Sequence, residues 1–239
     1  MTPFPRALGA GFAIAVAVAS SQAWSLPVVS DSTMADSDWS ASIIFEDAPG
    51  TPTFTASQVA SGGNPGSYRE TTHNWVGTGN IVVGHVRTGA LYDPSIQGAI
   101  ASIDISFDDR FFNFPGAGTP TFAVAILPMI VQSGTYYFGT YSISTANVWV
   151  SRVFLGLTAS DFTKQAGTGP LNPDFSASGA AISFGYLTGN GSGVLNAFSS
   201  TTSGVDNFIA SVNQLSAPEP AAAMIVMLGL AGLTRLRRR

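Results

Sequence analysis

Ile103-Asp104-Ile105-Ser106-Phe107 is the stretch on which the fold turns. Apolar and polar side chains alternate, so an extended chain would bury Ile103, Ile105 and Phe107 on one face and wet Asp104 and Ser106 on the other. The same pattern repeats outward. Upstream, residues 41–45, 54–59, 68–72 and the β-branched 81–87 are short alternating or apolar runs. Downstream, residues 122–130 form a nearly continuous apolar run, as a central strand would, with Pro128 implying a bulge or an edge. Residues 136–142, 148–155, 181–187 and 205–212 complete about ten strands, separated by Gly, Pro, Asn and Ser. One short helix is expected over 158–164, where Thr158 and Asp161 have capping-box spacing. Residues 165–179 and the turn Gly189-Asn190-Gly191-Ser192-Gly193 read as loops. The pattern predicts an all-β chain folded as a β-sandwich.

Composition narrows what such a domain can do. The chain has 239 residues, 45% hydrophobic and only 10% charged. A typical soluble domain is about 25% charged, so this surface is made of Ser, Thr, Asn and Gly. There is no cysteine, which excludes a disulfide scaffold, a thiol nucleophile and cysteine metal sites. The length allows one sizeable domain. Between residues 24 and 217 five basic residues face thirteen acidic ones, a net charge of −8. That excludes a nucleic-acid binder with a basic surface.

The other five basic residues sit at the ends. Arg6 precedes an apolar run over 7–19, and Ser21-Gln22-Ala23 offers the small-x-small site a signal peptidase requires. Residues 1–23 therefore read as a secretory signal helix cleaved after Ala23, with Ser25 as the alternative. Residues 24–38 read as a flexible lead-in, 39–214 as the sandwich and 215–239 as a sorting and anchor segment. In that last segment Pro218-Glu219-Pro220 is followed by an uncharged apolar run over 221–233, then by Arg235, Arg237, Arg238 and Arg239. Thirteen helical residues span about 20 Å, short of the roughly 30 Å of bilayer hydrocarbon. Snorkelling arginines extend that reach and hold the end in the cytoplasm. The expected topology is an exported domain, one short transmembrane helix and an arginine tail inside.

This three-part ending resembles the PEP-CTERM sorting signal of Gram-negative bacteria. The resemblance rests on Ala217-Pro218-Glu219-Pro220, the apolar run and the arginine cluster, about the last 23 residues. It departs in having Ala before Pro218, where many members have Val. It implies processing by an exosortase, a membrane-embedded cysteine protease or transpeptidase, and association with exopolysaccharide and biofilm matrices. The alternative is an unprocessed tail anchor. A second resemblance lies in the middle. Residues 61–69, Ser-Gly-Gly-Asn-Pro-Gly-Ser-Tyr-Arg, look like the glycine-rich turn of jelly-roll domains, including laminin-type and concanavalin-like sandwiches. Residues 181–186 resemble a later core strand of such domains, and 204–208 their closing strand, which would pair beside the first. This implies a jelly roll, a fold often used to bind glycans, although fold does not prove use.

Chemistry-bearing residues are sparse. His73 and His85 are the only histidines, and no Gly-x-Ser-x-Gly elbow accompanies them. Glycosidases need two placed carboxylates. The only glutamates between residues 24 and 217 are Glu46 and Glu70, and the acidic strand motif of concanavalin-like glycosidases is absent. The chain is therefore expected not to be an enzyme. A structural calcium ion is the one cofactor considered: Glu46 and Asp47 end the first expected strand, Asp206 begins the last, and hard cations take such oxygens. For glycan contact, exposed aromatic platforms are required. Trp75 beside His73 and Asn74 is the leading candidate, followed by Tyr92 and Tyr136; Tyr137 and Trp149 are weaker, Trp149 being expected in the core. The leading expectation is an exported, non-enzymatic envelope or matrix protein, structural or adhesive in an exopolysaccharide setting. Its partners would be signal peptidase, exosortase, exopolysaccharide and the membrane, with no nucleic acid. The alternatives are a lectin-like module with a defined glycan and a secreted polysaccharide hydrolase.

Overall fold

The alternating runs form two antiparallel sheets packed face to face. A computed structural model describes residues 25–47, 51–112, 123–140, 142–144, 147–192 and 198–215. In chain order the strands are β1 (Ser25–Asp31), β2 (Trp39–Glu46), β3 (Thr53–Gly63), β4 (Gly66–Val76), β5 (Gly79–Tyr92) and β6 (Ile100–Phe112). They continue as β7 (Val124–Gln132), β8 (Thr135–Phe138), β9 (Ile143–Ser144), β10 (Val150–Leu157), β11 (Thr163–Ala166), β12 (Ile182–Ser192) and β13 (Phe198–Gln214). A one-turn helix, α1 (Pro94–Gln97), links β5 to β6. The six-stranded sheet runs β10-β6-β13-β4-β3, with β1 also on β13. The seven-stranded sheet runs β11-β8-β7-β12-β5-β2, with β9 on β7.

The opening stretch behaves as its alternation dictates. Ile103, Ile105 and Phe107 are buried in the main core between the sheets, and Asp104 and Ser106 are half-buried on the opposite face of β6. Four other expectations change. Residues 25–31, expected as lead-in, form β1, which pairs with β13 from Ser25↔Asn213 to Asp31↔Phe208. The closing strand thus does lie beside the first, but the first is β1 and not the strand at 41–45. Residues 189–192, expected as a turn, continue β12 to Ser192, paired with β5. Pro128 sits in an interior strand without a register shift. Its carbonyl accepts from Gly139 N–H at 2.8 Å, so its N–H-less nitrogen faces the gap where β8 has ended and β9 has not begun. The helix at 158–164 shrinks to one 3₁₀ turn, Ala159–Asp161. The expected box closes there: the Asp161 carboxylate accepts from Thr158 N–H at 2.8 Å and Thr158 Oγ1–H at 2.7 Å.

β13 organises the six-stranded sheet. One edge pairs with β6 from Thr202 to Gln214. The other pairs with β4 over 198–205 and with β1 over 208–213. The exchange falls on Asp206 and Asn207, where the register with β6 also slips. Asn207 takes φ +52, the left-handed region that Asn tolerates better than most residues. The slip changes parity. Val205 faces the core, and so do Phe208, Ala210 and Val212. Strict alternation from Val205 would instead have turned Asn207, Ile209 and Ser211 inward.

The bulge is clamped by polar contacts. The Asp206 carboxylate accepts from Asn64 N–H at 2.6 Å and Asn207 N–H at 2.7 Å. Asp108, directly across on β6, accepts from Asn207 Nδ2 at 2.7 Å and Asn64 Nδ2 at 3.2 Å. Gly63 has to be glycine here, because a Cβ would stand 2.6 Å from both Asp206 Oδ2 and Ser67 O. Asn207→Ala would remove two side-chain hydrogen bonds and put an alanine in the left-handed region. The expected loss is about 2–3 kcal/mol, read as a lower urea midpoint at unchanged m-value. Asn207→Gly, which keeps the backbone freedom, should recover roughly 1 kcal/mol of it.

Candidate functional site

Of the residues singled out from sequence, Trp75, Tyr92, Tyr137, His73, His85 and Asp206 lie inside the protein. Trp75 is 2% exposed and packs with Ile81 and Val83 between the sheets. It shares the inward row of β4 with Arg69, Thr71 and His73, all buried, so the sequence neighbours Asn74 and His73 said nothing about its exposure. Tyr92 is also buried, and its hydroxyl donates to Gln97 O and Gly98 O, closing α1. Tyr136 is half-buried on the outer side of the seven-stranded sheet. Trp149, expected in the core, instead packs edge-on against Tyr68 and donates from Nε1 to Gly62 O at 2.9 Å.

The carboxylates considered for calcium are not brought together. Glu46 ends β2 and Asp47 follows it, and β2 pairs with β5 in the seven-stranded sheet, whereas Asp206 stands on β13 in the other. Among the described residues no group of three His, Asp or Glu side chains is placed to hold a metal ion. Burial raises the pKa of Asp206. Backbone N–H groups of Asn64 and Asn207 pull it down, and the charges of Asp108 and Asp31 push it further up. The sorting motif at 218–220, the tail arginines and Ala23 lie outside the described residues. Among the described residues no helix is long and apolar enough to cross a membrane.

The histidines belong to a polar layer sealed between the sheets. Asn190 Nδ2 donates to Ala123 O at 2.8 Å, which orients the amide. Its Oδ1 accepts from Thr201 Oγ1–H and from His73 Nδ1–H, each at 2.8 Å. His73 Nε2 is then an acceptor and takes the Thr188 hydroxyl proton at 3.0 Å. Thr188 Oγ1 in turn accepts from His85 Nε2–H at 3.3 Å. A neutral His73 imidazole, protonated on Nδ1 and accepting at Nε2, fits this chain of donors. Burial agrees: it pushes the His73 pKa down to about 4, against a smaller upward pull from Asn190. His85 lies well below its ordinary value through burial and the neighbouring charges of Arg69 and His73. It also stacks on Tyr186 with ring centres 4.5 Å apart. Neither ring reaches solvent, so neither can act as a base toward an outside substrate.

An accessible cavity lies on the opposite side of the seven-stranded sheet. That sheet curls until its edge strands β2 and β11 approach each other, and its outer face becomes concave. One end of the concavity is filled by Leu127, Met129 and Leu187, packed with Ile44, Val86 and Tyr136. The other end is a cleft of about 280 Å³. Its floor is Ala125, Gly189 and Gly191, and Phe45, Phe138, Ile143 and Leu187 form its walls. The floor is open because β12 carries glycine at alternate outward positions. A Cβ at Gly189 would sit 3.6 Å from Val82 and 3.7 Å from Ala125, so larger side chains there would grow into the cleft without backbone strain.

Three amide residues line this apolar bowl, Asn80, Gln165 and Asn190, the last with its side chain committed to the polar layer. Asp47 orients the first. It accepts from Asn80 N–H at 2.5 Å and from Asn80 Nδ2 at 3.1 Å, leaving Oδ1 turned toward Gly191. Asp47, considered as a metal ligand from sequence, is thus a positioning residue at the cleft mouth. Among the described residues no charged side chain lines the cleft. Sequence reading missed it because Gly189 and Gly191 look like turn residues; their spacing of two on a strand was the available signal.

No family model and no curated protein matches this chain. Among solved structures it is similar to the family 11 carbohydrate-binding module of cellulosomal cellulase Lic26A-Cel5E of Clostridium thermocellum. The identity is 13% and the TM-score 0.42, over 82% of this chain and 99% of that one. It is similar to the CBM22-1 xylan-binding domain of Paenibacillus barcinonensis Xyn10C at 11% identity and a TM-score of 0.42, over 82% and 100%. A likeness this shallow says nothing about ligand or site, which rest on the chain's own residues.

The neutral histidines give stability a pH dependence. His73 titrates near 6.5 when unfolded and at about 4 when folded, so the unfolded state binds the extra proton between those values. The stabilisation is fully present above about pH 6.5 and is lost as pH falls toward 4, on the order of 3 kcal/mol. His85 contributes with the same sign. Unfolding free energy measured between pH 7 and 4 should fall accordingly, and His73→Gln should flatten the slope while lowering the value at pH 7.

Proposed function

We propose that this chain is an exported, non-catalytic β-sandwich of the cell envelope or its extracellular matrix, and that it holds neutral polysaccharide in the concave cleft. The observation that carries the reading is the cleft itself: apolar and aromatic walls that suit the C–H face of a sugar ring, with amide groups at hand for its hydroxyls. Its volume, near the roughly 300 Å³ lower bound for small-molecule sites, suits one or two sugar units. Charge supports a neutral ligand. Among the described residues no cation lines the cleft, and the domain's net charge of −8 would repel a polyanion.

Non-catalytic action fits the placement of the titratable groups. Both histidines are sealed in the core. Glu46 and Glu70 stand on different sheets, β2 and β4, and the Glu70 carboxylate accepts from Tyr68 O–H at 2.9 Å. The destination rests on the ends of the chain: the signal segment for export, and the Pro218-Glu219-Pro220, apolar and arginine series for membrane anchoring and exosortase processing.

Titration with neutral oligosaccharides should give saturable binding. Gly189→Leu, which fills the floor, should weaken it at least tenfold with little change in melting temperature. Asp47→Ala, which frees Asn80, should weaken it severalfold. Undiminished binding by the Gly189 variant would remove the cleft from the account, and binding of alkyl chains in place of sugars would change the ligand class. Separately, deletion of residues 218–239 should release the exported domain from the cell fraction and abolish any processing of the mature chain; unchanged location and mass would refute the sorting reading.

A further inference from the structure

Resting on the glycan reading of the cleft, we propose that it takes the end of a chain and not its middle, and that the terminal sugar is a 6-deoxyhexose with its methyl group inward. The register of the seven-stranded sheet divides the concave face into levels two residues apart, about 7 Å each. On the deepest level Gly84, Leu187 and Leu127 stand side by side on β5, β12 and β7. A Cβ on Gly84 would stand 3.2 Å from Ile44 and 3.3 Å from the Met129 sulfur, so side chains from both flanks already meet over it. Leu127 and Leu187 are each 3% exposed. A glycan cannot thread through that level.

One level up, Phe45, Val82, Gly189, Ala125 and Ile143 are successive partners across β2, β5, β12, β7 and β9. The remaining strands, β8 and β11, supply Phe138 and Gln165, so every strand of the sheet contributes to the wall. The register shift between Ile43 and Phe45 lets β2 send Ile44 into the filled level and Phe45 into the wall above it. A cleft walled by all seven strands and stopped below admits a polymer by its end. A chain laid across the mouth would leave the inner level unused.

The same row fixes the chemistry of what enters first. It carries no polar side chain, and its two large members, Phe45 and Ile143, keep 39% and 45% of their surface exposed beside the cleft. The backbone of Val82, Gly189 and Ala125 is taken up in the sheet ladders. A hydroxyl at this level would lose its water and find no partner; a methyl group would lose nothing. The two amides open to the cleft lie off this row. Asn80 stands one level up, opposite Gly191 and held by Asp47, and Gln165 stands on the β11 edge. Apolar below and amide above is the order of a sugar that leads with its methyl group and trails its ring hydroxyls.

Sugars that differ only by the 6-hydroxyl test this directly. The full-length protein is titrated with methyl glycosides in pairs: L-fucose with L-galactose, L-rhamnose with L-mannose, D-quinovose with D-glucose. In at least one pair the deoxy sugar should bind tenfold or more tightly than its parent, the scale on which an apolar pocket rejects an added hydroxyl. Val82→Thr keeps the side-chain shape and gives the inner level a hydroxyl partner. It should cut that preference severalfold at an unchanged melting temperature. Capping the preferred sugar with a further residue at its non-reducing end should weaken binding at least tenfold. Parent hexoses that bind as tightly in every pair, or a capped sugar that binds as well as the free end, would overturn the proposal and leave the cleft a glycan site. Absence of binding by every sugar would remove the glycan reading as well.

Discussion

β13 exchanges one partner for another at Asp206 and Asn207, and the rest of the sandwich depends on how that exchange is made. A strand that leaves β4 and takes up β1 along one edge, while keeping β6 on the other, needs an extra residue to absorb the change. The extra residue shifts the alternation by one. On one side of the shift Thr201 and Ser203 face inward beside the histidines; on the other Phe208, Ala210 and Val212 enter the apolar core. One strand therefore serves two different interiors. The carboxylates of Asp206 and Asp108 hold the bulge by binding the Asn64 turn, which ties the β3–β4 hairpin to the same point.

A polar layer inside a sandwich would be costly if any member lacked a partner. Here Thr201, Asn190, His73, Thr188 and His85 form a directed chain; His85 Nδ1 alone makes no hydrogen bond among the described residues, and burial keeps that ring neutral. The few cations of the domain are also committed internally. Arg87 meets Asp31, Arg69 meets Asp36 and Arg152 meets Asp109. Arg110 lies over Phe112, and Lys164 donates to Gly169 O. Positive charge is thus used to stitch the fold, and the exposed surface is left polar, acidic and suited to neutral partners.

Much of the strand content was legible because burial on one face imposes a period of two, and all ten expected runs overlap observed strands. β1 was not legible: Ser25-Leu26-Pro27-Val28-Val29-Ser30-Asp31 carries no clear alternation, and its place is set by the free edge of β13. The capping box at Thr158 and Asp161 was legible because its hydrogen bonds close within four residues. The site was the least legible part. Asp47 and Tyr136 were noticed, but Trp75 and Tyr92 were wrongly placed at the surface. An aromatic residue has the same chemistry inside or out, and only its position on the strand and the opposing sheet decide which.

By itself, the sequence determined the all-β class, the alternation that faces Ile103, Ile105 and Phe107 inward, and the lack of disulfides. Each of these follows from residue chemistry or from neighbours a few positions apart. Tertiary structure alone decided which strands meet, where β13 slips, that both histidines are sealed, and that the seven-stranded sheet curls into a cleft over two glycines. Those features arise from contacts between residues as far apart as Asn64 and Asp206 or His73 and Asn190, and separation in sequence carries no information about such contacts until the two sheets close on each other.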